Sequence, residues 1–193
     1  MYKIISNSCV GGFIYRDNIR CSYQTPFIWN LVDFESMHYL IENFRDINFK
    51  KYDIKKDANW SFSIVVEDKI ELKYIHYKFD KNANEILHKD IDVYYNRIWE
   101  YIVDKYDKRV NVMLNNTSNP LFIFANGWNP PETILTYNQL NILNDLKKDN
   151  IICAVDKIYP EFTNIKQTLR NTGTAKYGAN PRLAKKIYDE FLK

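Results

Sequence analysis

Cys9 is the first residue of this chain that could do chemistry. It stands in Ser6-Asn7-Ser8-Cys9-Val10-Gly11-Gly12, after the apolar run YKIIS at residues 2–6 and before a second apolar stretch. A thiol attacks a carbonyl as the thiolate, and a helix N-terminus or a neighbouring imidazolium lowers its pKa. A strand that turns into a helix at Cys9 would supply the first of these. Gly11 and Gly12 would let backbone N–H groups approach a ligand and hold an oxyanion. His76 is the candidate base, and Asp80, Asn126 or Asp156 would orient its ring. Candidate substrate-binding residues are Asn7, Gly11 and Gly12 at the corner, Arg16 or Arg97 on an anion, and Tyr23, Trp29 and Trp128 stacked on a sugar ring.

Each of these residues also has a purely structural reading. Cysteine is most often a small buried hydrophobe, which suits Cys153 inside IICAV and also suits Cys21. The glycine pair serves equally as a tight turn, and His76 as a half-buried strand residue. Asn126 and Asp156 fit caps or turns, and Trp128, beside Pro130-Pro131, fits a packed loop. His38 and His88 read as structural or solvent-exposed.

The elements that must position these groups follow from hydrophobic periodicity. Residues 2–6 predict a strand and 10–18 a short helix or turn. Residues 34–47 predict a helix capped by Asp33, with Phe34, Met37, Leu40, Ile41, Phe44 and Ile47 on one face. Strands at 61–67 and 70–78 flank a tight Asp68-Lys69 turn. A helix at 91–106 turns Tyr95, Ile98, Trp99, Ile102 and Tyr106 inward. LFIFA at 121–125 and IICAV at 151–155 are unbroken apolar runs, as in parallel strands buried on both faces. Thr136 to Gln139 is a capping box opening a helix to about Lys148. The segment 157–180 is irregular, with a short helix near 163–170. Asn180-Pro181 then caps a last helix carrying Leu183, Ile187 and Phe191.

Strand–helix alternation predicts a single α/β domain over residues 1–193. It would have three layers, with helices on both faces of a mostly parallel sheet that is mixed if the hairpin joins its edge. Sites of open α/β sheets gather beyond the carboxyl ends of the strands. The first, fourth and fifth predicted strands would bring Cys9, Asn126 and Asp156 to one edge, and His76 would join them if its strand runs the same way.

Composition narrows the function classes. The net charge is +3, with basic and acidic residues interleaved, so there is no electrostatic footprint for nucleic acid. Gly numbers only 5, and neither G-x-G-x-x-G nor G-x-x-x-x-G-K-[ST] occurs, which argues against glycine-loop nucleotide sites. Three cysteines without C-x-x-C make neither a disulfide framework nor a metal site. No segment reads as a leader or a membrane span. The expectation is a soluble cytoplasmic protein that needs no cofactor and takes a small-molecule, peptide or glycan substrate. The oligomeric state is not legible in the sequence.

The opening IISNSCVGGFIY, followed by YQTPFIW at 23–29, resembles a family of bacterial and large-virus proteins described as papain-like cysteine peptidases of unknown function. It also resembles a sister group associated with exopolysaccharide biosynthesis. That group opens with a strand and Ser-Asn-x-Cys-x-Gly-Gly, then a Pro-Phe segment, a helix, a His-Tyr pair and a helix with a basic residue near its start. Here these are Ser6 to Gly12, Pro26-Phe27, the 34–47 helix, His76-Tyr77 and Arg97. The resemblance covers residues 1–110 and thins beyond. Where the family helix carries Trp before its Arg, Tyr94-Tyr95-Asn96 stand here. The resemblance implies Cys9 as nucleophile and His76 as base. A papain-like fold would set the cysteine helix against an antiparallel barrel-like sheet, whereas the two apolar runs imply an α/β order.

Three functions compete. The leading one is a thiol-dependent hydrolase or acyl transferase using Cys9 and His76. The second is a glycan or exopolysaccharide biosynthesis protein that acts on sugars without a catalytic thiol. The third is a non-catalytic binding module.

Overall fold

The apolar runs of the sequence lie side by side in a parallel sheet. The computed structural model describes residues 2–20, 25–28, 30–56, 62–74, 91–125, 135–170 and 179–193. In chain order the elements are β1 (Lys3–Ser6), α1 (Val10–Phe13), which runs straight into a π-helix over Ile14–Ile19, α2 (Phe34–Asn43), β2 (Tyr52–Lys56), β3 (Phe62–Val66) and β4 (Ile70–Tyr74). Then follow α3 (Ile91–Asn115), β5 (Pro120–Phe124), α4 (Tyr137–Asp145), β6 (Ile151–Val155), β7 (Lys166–Leu169) and α5 (Ala179–Phe191).

The parallel sheet has the order β1-β5-β6-β7, with Ile4 opposite Leu121, Phe122 opposite Ile151 and Cys153 opposite Gln167. Its strands divide their residues between two cores. Ile5, Phe122, Phe124, Ile151 and Cys153 join one cluster with Met37 and Leu40 of α2, Tyr106 of α3 and Leu143 of α4. Ile4, Leu121, Ile123, Ile152 and Ala154 join the other with Val10 of α1, Ile14 of the π-helix and Leu183 and Ile187 of α5. Both faces of these strands are therefore buried, which is why they read as unbroken apolar runs rather than alternating ones. The α/β expectation holds.

The predicted hairpin belongs elsewhere. β3 and β4 are antiparallel, as expected, but β2 pairs with β3 to make a separate sheet of order β2-β3-β4. The parallel sheet is thus not mixed at its edge by this hairpin. Ile64, Val66, Ile70 and Leu72 on one face of the small sheet share the first core with α2 and α3. The hairpin turn is centred one residue earlier than expected, on Glu67-Asp68. Both take left-handed φ (51° and 57°), and the Lys69 N–H donates to the Val66 carbonyl at 3.0 Å.

β2 and β7 have no apolar run to announce them. YDIKK and KQTL are edge strands, in which few side chains turn inward. In β7 only Thr168 is deeply buried, so the segment predicted as a short helix at 163–170 carries neither helical nor strand-like patterning. Parallel pairing with β6, Ala154 opposite Thr168, makes it a strand.

Local capping signals are realised. The Asp33 carboxylate accepts the Ser36 N–H at 2.7 Å at the start of α2. Thr136 and Gln139 form the reciprocal capping box of α4. α2 ends at Asn43, short of Ile47, which is nonetheless buried beyond the turn. α3 runs nine residues past its predicted end at 106, because Val110 and Met113 continue the buried stripe of Ile102 and Tyr106 at helical spacing. α5 begins at Ala179, so Pro181 lies in its first turn, where no N–H is needed. No helix among the described residues is long and apolar enough to cross a membrane.

Candidate functional site

The carboxyl edge of the parallel sheet is built outward from the corner where β1 turns into α1. Asn7 extends the β1–β5 ladder by one residue. Its N–H donates to the Ile123 carbonyl at 3.1 Å, and its Oδ1 accepts the Ala125 N–H at 2.9 Å, standing in for a backbone carbonyl. Its own carbonyl accepts the Val32 N–H at 3.2 Å. The Ser8 hydroxyl donates to the Ala125 carbonyl, so both polar groups of Ala125 are clasped by the corner. Asn7 was expected at the substrate, but its amide oxygen is committed to the fold. Asn7→Ala should leave the buried Ala125 N–H without a partner and cost about 1–3 kcal/mol. Asn7→Asp, which keeps the acceptor, should cost less. Urea denaturation of the two variants checks this.

Cys9 occupies the N-cap position of α1 with relaxed helical angles (φ −63°, ψ −10°), and its carbonyl accepts the Phe13 N–H at 3.2 Å. It is 5 % exposed. Burial pushes its thiol up to about 11, and a backbone hydrogen bond pulls back only part of that. The expectation of a lowered pKa is thus reversed. Removing the thiolate from water penalises its charged form more than that hydrogen bond favours it. At neutral pH the resting sulfur carries its proton.

Gly11 is required by packing. A Cβ there would lie 2.7 Å from the Ser6 Cβ and 3.0 Å from the Ile28 Cγ2, so glycine lets α1 lie directly on β1. Gly12 is buried in the same turn. The Val10 N–H, the first amide after Cys9, donates to the Ser8 hydroxyl at 3.4 Å. Arg16 lies on the π-helix that continues α1. Its guanidinium forks onto Asp17 (Nη2 to Oδ2, 2.8 Å) and sits 4.7 Å from the centre of the Phe13 ring on the exposed side of the π-helix.

Asp156 lies at the carboxyl edge as expected, just after β6, but its carboxylate is ion-paired with Arg170 just after β7. β5 separates β1 from β6, so the two strands that lead to Cys9 and Asp156 lie two strand spacings apart, about 10 Å. His76, Asp80, Asn126, Tyr23, Trp29 and Trp128 lie outside the described residues, and of Arg97 the description extends to its backbone on α3.

One group at this edge escaped the sequence reading. Tyr137 opens α4, and Tyr159 and Phe162 follow β6. Their ring centres are 5.0 Å (Tyr137–Phe162), 5.4 Å (Tyr137–Tyr159) and 5.7 Å (Tyr159–Phe162) apart. Tyr137 is 48 % exposed, its hydroxyl lies 3.3 Å from Glu161, and the Lys157 ammonium lies 5.6 Å from the Tyr159 ring. The available signal was the density of aromatic residues beside a capping box and within an otherwise irregular segment.

The fold and the corner define an α/β protein with a parallel sheet whose strand–turn–helix junction, carrying a buried thiol, is clasped to the neighbouring strand. No protein-family model matches the chain, and a search of curated proteins finds no match.

Proposed function

We propose that the protein is a thiol-dependent hydrolase or acyl transferase working at the carboxyl edge of its parallel sheet. The observation that carries this reading is the position of Cys9 at the junction of β1 and α1, on a corner held by Asn7 and Ser8. Nucleophiles of α/β enzymes occupy such strand-to-helix turns. The likeness of the opening segment to papain-like cysteine peptidases agrees with it. A thiol protonated at rest calls for base-assisted attack. As sulfur bonds to the carbonyl carbon, the thiol proton passes to His76 and the carbonyl electron pair moves to oxygen. Collapse expels the leaving group, which takes the proton from the imidazolium. Water or an acceptor alcohol or amine then receives the acyl group from the thioester.

The test is a panel of chromogenic esters and thioesters, with intact-mass detection of an acyl adduct. Cys9→Ala should abolish the adduct and lower turnover at least about a thousandfold. His76→Ala should slow both acylation and release. Turnover that survives Cys9→Ala sinks the reading.

The neutral, buried thiol and the exposed tyrosine favour a second reading, a glycan-biosynthesis protein without a catalytic thiol. Tyr137, backed by Tyr159 and Phe162, offers an aromatic face for a sugar ring, with Glu161 at its hydroxyl and Lys157 over the Tyr159 ring. In that case Tyr137→Ala weakens oligosaccharide binding in a calorimetric titration, and Cys9→Ala leaves it unchanged.

A further inference from the structure

We infer that β2 is a self-association edge, through which two copies of this chain join their small sheets into one antiparallel sheet across a two-fold axis. β2 is the outer strand of the order β2-β3-β4. The Glu67 N–H donates to the Lys51 carbonyl, which sets the phase of the ladder. Residues 51, 53 and 55 therefore direct their backbone groups at β3, while Tyr52, Ile54 and residue 56 direct theirs to the outer edge. Beside that edge lies an open cleft of about 700 Å³, with Tyr52, Asp53 and Ile54 on one side and Val103, Asp107 and Val110 of α3 on the other.

The order of charges on β2 selects the occupant. Asp53 and Lys55 both point to the exposed face, and Ile54 between them points inward. In a two-fold pairing centred on Ile54, the Ile54 N–H and carbonyl bond reciprocally to those of Ile54 in the second copy, and Tyr52 pairs with residue 56. Asp53 then faces Lys55 of the second copy, and Lys55 faces its Asp53. These are non-hydrogen-bonded positions, where cross-strand side chains come closest. Centring the pair on Asp53 would set carboxylate against carboxylate, and centring it on Lys55 would set ammonium against ammonium. Centring it on Tyr52 would also use outward groups and set Asp53 against Lys51, but would pair only part of β2, whereas the Ile54 register pairs Tyr52–Lys56 along its whole length and matches the charges. A symmetric interface requires a surface complementary to itself, and this strand is one.

Sedimentation velocity over a concentration series tests the pairing on the full chain. The wild type should show a monomer–dimer equilibrium that weakens with salt. Asp53→Lys and Lys55→Asp each set like charges across the axis and should weaken association roughly tenfold. Both side chains are exposed, so both variants should fold. An equimolar mixture of the two variants restores both opposite-charge pairs and should form heterodimers. A wild type monomeric at every concentration overturns the inference. So does a dimer unaffected by either reversal, or a mixture that fails to recover association.

Discussion

Iodoacetamide should label Cys9 of the native protein at pH 8 at least about tenfold more slowly than it labels an exposed thiol. The thiol is held at about 11 against an ordinary value of 9.0. At pH 8 this leaves about a hundredfold less thiolate. A more basic thiolate is intrinsically the better nucleophile, which returns somewhat less than tenfold. The 5 % exposure of the residue slows the approach of reagent further. The rate should climb about tenfold per pH unit from 8 to 10 and bend only near 11. Peptide mapping reads Cys9 separately from Cys21 and Cys153. Cys153 is fully buried on β6 and its thiol is pushed up further still, so it should react only on unfolding.

The same experiment separates two forms of the proposed chemistry. A resting thiolate–imidazolium pair would give a labelling rate that is already flat near neutral pH and falls in His76→Ala. Base-assisted attack leaves the labelling profile of His76→Ala unchanged while acyl turnover drops. A plateau at neutral pH in the wild type would show that Cys9 is not desolvated in the way its burial implies.

Gly11→Val should be the most damaging single substitution at the corner, costing about 3 kcal/mol or more. The side chain would enter a space where even a Cβ lies 2.7 Å from the Ser6 Cβ, 3.0 Å from the Ile28 Cγ2 and 3.2 Å from the Ile4 Cγ2. Ser6 cannot yield, because it is fully buried on β1 and registered against Ile123 of β5. Relief therefore requires α1 to lift off the sheet, which breaks the second core around Val10 and Ile14 and displaces Cys9 with it. Overpacking of this kind costs about 1–3 kcal/mol for small additions. Gly11→Ala also gains about 1 kcal/mol of helix propensity, so its net loss should be at most about 2 kcal/mol. Urea denaturation orders the series. An alanine variant more stable than the wild type would mean that α1 does not rest on β1 at this point.

Where a feature depends on neighbours in the chain, it was legible in the sequence. LFIFA and IICAV announced buried parallel strands, because burial on both faces demands apolar residues at every position. Asp33, Thr136 and Gln139 announced helix starts, because capping satisfies amides only a few residues away. β2 and β7 were not legible. An edge strand owes its state to hydrogen bonds from one neighbour, and YDIKK and KQTL contain no pattern that names the neighbour.

The site divides along the same line. That a cysteine, an asparagine and two glycines meet at a strand-to-helix corner was determined by the sequence alone, through the apolar run before them and the turn residues themselves. What each of them does there was decided only by the tertiary structure. β5 lies beside β1 and takes the Asn7 amide oxygen for the Ala125 N–H. β1 lies beneath α1 and explains Gly11. β7 lies beside β6 and captures Asp156 through Arg170. Burial raises the Cys9 thiol that local helix geometry alone would lower. Desolvation, close packing and ion pairing all depend on which atoms arrive from distant parts of the chain, and one-dimensional spacing does not carry that information.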